Sequence, residues 1–245
     1  MIFKTLRLSV TNCYLFKTND GYALIDTGYD WEWRTFCAEL RKSGVEFEDI
    51  KHLILTHHHD DHAGLINKLL EQNPRIKVVM SRHAKDLLQK GRNDHTRGGG
   101  YINRRIYALA TLKRVFDKKW TLTFPPYITR NDDILIDQEV QLQQIGIEAD
   151  GKILETPGHT VDSISIAFGD GDCIVGDAAA NFLRFAGTKY CVVYVMDLDQ
   201  YYESWTRIIE AGAKWIYPSH GRPFGVEELK KSIYLNKKHN MVMTE

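Results

Sequence analysis

The sequence is short of the features that mark secreted, membrane-embedded or nucleic-acid-binding chains. Only 4 of its 245 residues are cysteine. Cys13, Cys37, Cys173 and Cys191 stand far apart and form no C-x-x-C pair, so a disulfide framework is not expected and the thiols should be reduced and mostly buried. No window approaches the apolar length of a membrane-spanning helix. The N-terminal residues Met1 to Arg7 lack the long apolar core of a signal peptide. A cytoplasmic protein without a membrane partner is the expectation. Charge of one sign is not in excess either: lysine plus arginine and aspartate plus glutamate number 32 each. That balance gives no bulk electrostatic case for a nucleic-acid partner, and none is expected. Apolar residues at 43% and aromatics at 11% exclude global disorder. For a mixed α/β chain of this length, one domain over 1–245 is the better prior.

Along the chain, residues 2–10 and 13–18 read as strands, and Asn19-Asp20-Gly21 is a hairpin turn signal leading into Tyr22 to Ile25. Trp31 to Ser43 is an amphipathic helix stopped by Gly44. Strand 52–55, a helix from about Gly64 to Glu71 and strand 76–80 follow. Residues 81–133 differ in character. Helices over Arg82 to Lys90 and Tyr101 to Phe116 flank a polar, glycine-ended stretch, which suggests a helical insertion or cap. Its bases include Arg92, Arg97, Arg104, Arg105, Lys113, Arg114, Lys118 and Lys119. They either solvate two surface helices or attract an anionic substrate, with Arg104 and Arg105 the pair to test. Strands at 134–136, 139–145, 152–155, 163–168 and 172–175 come next. Helix 200–211, strand 215–217 and a last helix over 226–238 complete the chain. Each half runs strands first and helices later, so two similar halves packed sheet to sheet are expected.

Chemistry concentrates at Thr56-His57-His58-His59-Asp60-Asp61-His62. Four imidazoles and two carboxylates follow the apolar run Leu53-Ile54-Leu55, where a buried strand ends and a loop begins. Packing gives little reason for so many titratable groups there. A divalent metal does, since imidazole and carboxylate are its usual ligands. In an extended loop His57 and His59 point the same way, while Asp61 and His62 are displaced along the chain toward a second ion. Three later strand exits also end in ligand-type residues: His159 in T-P-G-H-T, Asp177 in V-G-D and His220 in P-S-H-G.

The string His57-x-His59-x-Asp61-His62, followed in order by His159, Asp177 and His220 and preceded by Asp26-Thr27-Gly28, resembles the metallo-β-lactamase-fold hydrolases. These elements span roughly residues 20–225. The resemblance implies an α/β fold, a four-layer αβ/βα sandwich of two mixed β-sheets flanked by helices. It implies one metal on His57, His59 and His159 and a second on Asp61, His62 and His220, with Asp177 bridging. Asp26 would orient a ligand imidazole. The ions would be two divalent metals, zinc foremost, with iron or manganese as alternatives. A metal-bridging hydroxide held by Asp177 would be the nucleophile, and Asp61 would also shuttle its proton. His58 and Asp60 fall at variable positions of the motif. His52, His83, His95 and His239 match nothing in it.

Within that family, a bridging Asp177 points away from true β-lactamases and toward relatives similar to glyoxalase II and lactonases. The stretch Ala178 to Arg184 lacks both the glyoxalase II binding set and the tyrosine of quorum-quenching lactonases. His59 departs from the glutamate of the flavo-diiron branch. Neither a large added domain nor a tRNA-docking arm of the nuclease members is visible. The expected function is hydrolysis of a small ester, thioester or lactone, with an anionic substrate among the options. The alternatives are a phosphodiesterase using the same metals and a catalytically silent metal-binding or sensing protein. The oligomeric state is not indicated.

Overall fold

The computed structural model describes residues 3–94, 98–116, 121–236 and 241–244. The first sheet takes its strands in chain order: β1 (Phe3–Arg7), β2 (Asn12–Lys17), β3 (Tyr22–Ile25), β4 (Ile50–Ile54), β5 (Lys77–Ser81) and β7 (Ile134–Ile136). Its first three strands are antiparallel and the rest parallel. The second sheet contains β8 (Val140–Gln141), β9 (Gly151–Glu155), β10 (Ile164–Phe168), β11 (Asp172–Gly176), β13 (Trp215–Pro218) and β14 (Phe224–Gly225). Its spatial order is β14-β13-β11-β10-β9-β8, with only the β11–β13 pair parallel. The named strands cross from one sheet to the other once, between Ile136 and Val140.

Two-residue alternation decides which side chain goes where. On β2, Tyr14 and Phe16 face the second sheet while Cys13 and Leu15 face helices. On β10, Ile164, Ile166 and Phe168 return the contact from the other side, and Ala167 turns outward. The layer between the sheets is thus a dry seam of Ile25, Ile54, Val79, Ile153 and Ile174. Outside the first sheet lie α1 (Trp33–Ser43), α3 (Ile66–Gln72) and α4 (Ala84–Lys90), which bury Phe36, Leu40, Leu69 and Leu88. Outside the second lie α6 (Leu198–Glu210) and α7 (Glu227–Asn236). There Tyr201, Trp205 and Ile208 follow helical spacing and meet Leu154, Val175 and Ile216. The architecture is the αβ/βα sandwich of two mixed sheets expected from the sequence.

Two expectations need correction. Residues 139–145 do not form one strand: β8 is two residues long, and Leu142–Ile145 winds into a 3-10 turn. The turn tucks Leu142 into the seam between the sheets, and Gly146 closes it at φ 80°, which glycine adopts without a steric penalty. The helix expected from Gly64 to Glu71 is preceded by a separate short turn, α2 (Asp60–Ala63), so Asp61 and His62 lie on helix rather than extended loop.

The 81–133 segment holds α4, the two-residue strand β6 (Gly100–Tyr101) and α5 (Arg104–Phe116). Strand β6 sits between β12 (Tyr194–Val195) and β15 (Val242–Met243) in a small third sheet. Among the described residues, no helix is long and apolar enough to cross a membrane.

Candidate metal centre

The first half supplies four ligand-type residues from one corner. Strands β3 and β4 are parallel, so both exits lie at the same end of the sheet. Asp26, leaving β3, takes a left-handed backbone conformation (φ 61°) that aspartate tolerates better than most residues. Its carboxylate accepts hydrogen bonds from the Thr56 amide (2.8 Å), the Thr56 hydroxyl (2.8 Å to Oδ2) and the Ser219 hydroxyl (3.2 Å). It also accepts from His62 Nδ1 at 2.8 Å. Past Thr56 the extended loop alternates: His57 and His59 point to one side and His58 to the other. The short turn α2 then swings Asp61 and His62 back over the sheet end.

The second half supplies three more. His159 follows β9, Asp177 follows β11 and His220 follows β13. The halves nearly touch at Gly176 (φ 53°), where a Cβ would lie 2.6 Å from the Thr56 side chain. Helix α6 fixes the Asp177 loop from behind, with the Tyr201 hydroxyl donating to the Asp177 carbonyl and the Trp205 indole to that of Ala178.

All seven predicted ligand residues converge. His159 Nε2 lies 3.2 Å from His57 Nε2 and 3.0 Å from His59 Nδ1. Asp61 Oδ2 lies 3.2 Å from His220 Nε2, and Asp61 Oδ1 is 3.5 Å from His62 Nε2. The Asp177 carboxylate reaches both sets: Oδ2 is 3.4 Å from His159 Nε2, and Oδ1 is 3.3 Å from His220 Nε2 and 3.7 Å from His62 Nε2. All but His220 are buried.

A family model, described as the metallo-β-lactamase superfamily, matches residues 6–220. The chain belongs to that superfamily. Among curated relatives it is 26% identical over 232 residues to the "Probable metallo-hydrolase YqjP" of Bacillus subtilis, covering 86% of this chain and 66% of that protein. It is also 26% identical over 242 residues to the "Lactamase-like protein adaB" of Aspergillus niger, covering 96% of this chain and 57% of that one. The chain therefore spans somewhat under two thirds of the length of these relatives. Among solved structures it superposes on BJP-1, a subclass B3 metallo-β-lactamase of Bradyrhizobium japonicum, with a TM-score of 0.63. That match covers 95% of this chain and 87% of the other at 17% identity, a likeness of fold alone.

The donor set suits a divalent cation. Among the described residues, the buried Nε2 of His62 and Oδ1 of Asp177 have no partner in hydrogen-bond geometry, an arrangement that is costly without an ion to face. The spacings of 3.0 and 3.2 Å among His57, His59 and His159 are near the edge of about 3.3 Å for a tetrahedron with metal–nitrogen bonds of about 2.0–2.1 Å. The outer ring nitrogens of His57, His159 and His220 are also occupied, which holds the orientation of those rings. Thr56 Oγ1 lies 3.1 Å from His57 Nδ1, His159 Nδ1 donates to the Tyr194 carbonyl and His220 Nδ1 to the Val10 carbonyl.

Charge in the site is uneven. Burial, reinforced by the neighbouring imidazoles, pushes His57 well below the usual histidine range, and burial lowers His159 despite Asp177. Burial also opposes ionisation of Asp61 and Asp177, but His62 and His220 outweigh it and hold both carboxyls low. In return, Asp61, Asp26 and Asp177 overcome the burial of His62 and raise it to about 9, and Asp177 and Asp61 raise His220.

Sequence reading missed a neighbouring pair. His58 donates from its backbone (2.8 Å) and sits 2.8 Å by Nδ1 from the buried Asp162 carboxylate. Its Nε2 accepts the Asp94 amide at 3.0 Å. Beside it Asn93 and Asp60 exchange two hydrogen bonds of 2.8 Å. The start of the insertion is thereby latched to the metal-ligand loop. Asp162 stands 104 residues from His58 in sequence, and no periodicity connects them. Of the unmatched histidines, His52 is buried in β4 and His83 precedes α4, while His95 and His239 lie outside the described residues.

The cluster opens into a cavity of about 510 Å³ lined by His59, Asp61, His159, Asp177 and His220 at one side and by Ile106, Leu109 and Ala110 of α5 at another. Helix α5 is thus a cavity wall rather than a free surface helix. Arg104 and Arg105 do not line the cavity; Lys113 and Arg114 do. The exposed arginine pair sits at the start of α5, whereas one turn beyond Leu109 and Ala110 the helix brings Lys113 and Arg114 to the same face.

Proposed function

We propose that this chain is a metal-dependent hydrolase that holds two divalent ions, zinc foremost, and cleaves a small ester, thioester or lactone. The observation that carries the reading is the convergence of seven ligand-type groups in two sets, with Asp177 in contact with both, at the head of a cavity walled largely by apolar side chains. His57, His59 and His159 would hold one ion, Asp61, His62 and His220 the other, with Asp177 between them. Bound there, the ions would lower the pKa of a water toward neutrality and polarise a substrate oxygen.

The chain's own groups do the rest. Asp26 keeps the His62 proton on Nδ1, leaving Nε2 free to ligate. Asp61, fixed by the Thr11 hydroxyl at 3.1 Å and facing the cavity, would take the proton lost from the attacking water. No side-chain nucleophile is needed. The apolar cavity walls limit competing water and strengthen the local electrostatics.

The test uses metal-replete protein against a lactone, a thioester, an aryl ester and bis-nitrophenyl phosphate, with Asp177→Ala as the control. Turnover of a carbonyl substrate, lost in the variant, supports the reading. Cleavage of only the phosphate diester would make the protein a phosphodiesterase. Full metal content without turnover of any substrate would leave a binding or sensing protein.

A further inference from the structure

Helix α5 changes character along its length where it lines the cavity. Ile106 and Ala110 are buried, and from Thr111 to Phe116 every residue is exposed. Lys113 and Arg114 line the cavity and are themselves exposed, so they stand at its rim. Among the described lining residues they are the only lysine and arginine. The acidic lining residues, Asp60, Asp61 and Asp177, are gathered instead at the metal-ligand cluster. Between the two poles the walls are apolar, including Leu109, Phe182, Leu183 and Val192.

We propose that the ligand of this cavity is an amphiphilic anion: an apolar acyl or aryl body between α5 and the Phe182–Leu183 wall, with an anionic group, carboxylate, phosphate or sulfonate, engaged by Lys113 and Arg114 at the rim. The position of the scissile bond, at the cluster and remote from the anion, rests on the hydrolytic reading above. The preference for an anionic ligand does not. The ordering follows from burial. Between the poles, among the described lining residues, a charged group would meet no lysine or arginine and would lose its hydration against apolar walls, and the cluster is the place the hydrolytic reading gives to the scissile bond. At the rim it remains partly hydrated and meets two cations. Arg114 offers a planar fork suited to carboxylate and phosphate, and Lys113 a mobile point charge. Basic residues also suit a helix C-terminus through the helix dipole; that role is indifferent to what fills the cavity, and the test separates the two.

Metal-replete protein is given two nitrophenyl esters of equal chain length, nitrophenyl octanoate and the monoester of octanedioic acid, which differ by a terminal carboxylate. The readout is the ratio of kcat/KM, anionic over neutral, in the wild type and in K113E/R114E. Each exposed ion pair contributes a factor of a few, and reversal adds repulsion, so the ratio should fall about tenfold, mainly through KM. It should also fall in the wild type at high salt. In parallel, the fluorescent anion 1-anilinonaphthalene-8-sulfonate and its uncharged parent N-phenyl-1-naphthylamine are titrated into both proteins, which requires no turnover. The wild type should favour the sulfonate and the variant should lose that preference. An unchanged dye preference in a variant that is folded by circular dichroism overturns the proposal, as does an unchanged ester ratio. Inactivity of the wild type toward both esters, with its sulfonate preference still lost in K113E/R114E, would instead remove the hydrolytic reading and leave the anion site standing.

Discussion

Asp26→Asn isolates the coupling between a buried carboxylate and the state of one ligand. The change preserves size, and asparagine tolerates the φ of 61° as aspartate does, so the backbone should not move. What changes is one acceptor oxygen into a donor. The Thr56 amide cannot turn away, so the remaining oxygen stays on it and the new NH2 group faces His62 Nδ1. Two donors cannot share that contact. The His62 proton must shift to Nε2, the atom that looks toward Asp61 and Asp177, and there it blocks ligation. The opposite amide orientation restores His62 but sets NH2 against the Thr56 N–H, at about 1–3 kcal/mol. Either way, affinity at the Asp61–His62–His220 set should fall by about 10–100-fold, or about 1.4–2.8 kcal/mol. The His57–His59–His159 set should keep most of its affinity. Competitive zinc titration against a chromophoric chelator reads the two equivalents separately, and metal-free thermal midpoints check folding. A folded variant that still binds both equivalents as tightly as wild type would refute the reasoning.

Three further outcomes follow from the same geometry. In the metal-free protein His62, raised to about 9, is protonated at pH 7, and the same carboxylates push His220 up; a metal needs both rings neutral at the ligating nitrogen, so affinity should weaken as pH falls, and calorimetry at pH 7 in buffers of different protonation enthalpy should show at least about one proton released. Zero release would contradict the assignment. Asp162→Asn should loosen the hold on His58 and raise the hydrogen-exchange rate of the Asp94 amide at least tenfold, with no rise counting against the latch. Gly64→Ala would put a Cβ 2.5–2.7 Å from backbone atoms of Asp30, Asp60 and Gly28, which cannot swing aside; destabilisation of about 1–3 kcal/mol is expected in urea unfolding.

What could be read from the sequence was what repeats at short range. Short apolar runs over 13–18 and 163–168 marked strands, and the two-residue period of extended chain put His57 and His59 on one side. The ligand set was legible because each member stands at a strand exit bounded by glycine, proline or aspartate. Other features depend on tertiary neighbours. The 139–145 run looked extended because its residues suit a strand, but burying Leu142 between the sheets favours a turn. The pairing of His58 with Asp162 and the choice of Lys113 and Arg114 over Arg104 and Arg105 follow from where α5 and the 91–94 segment settle. Composition and spacing carry no signal for either.

The single crossing between the sheets, from Ile136 to Val140, has a consequence for how the site comes into being. Four of the ligand-type residues lie before that crossing and three after it. Neither part alone can assemble both sets. A chain interrupted at the crossing and co-expressed as two pieces would therefore have to reunite before coordination is complete, and the ion would act as the clasp between them. Fragment complementation in this protein should then be conditional on metal, its yield reporting coordination without any substrate.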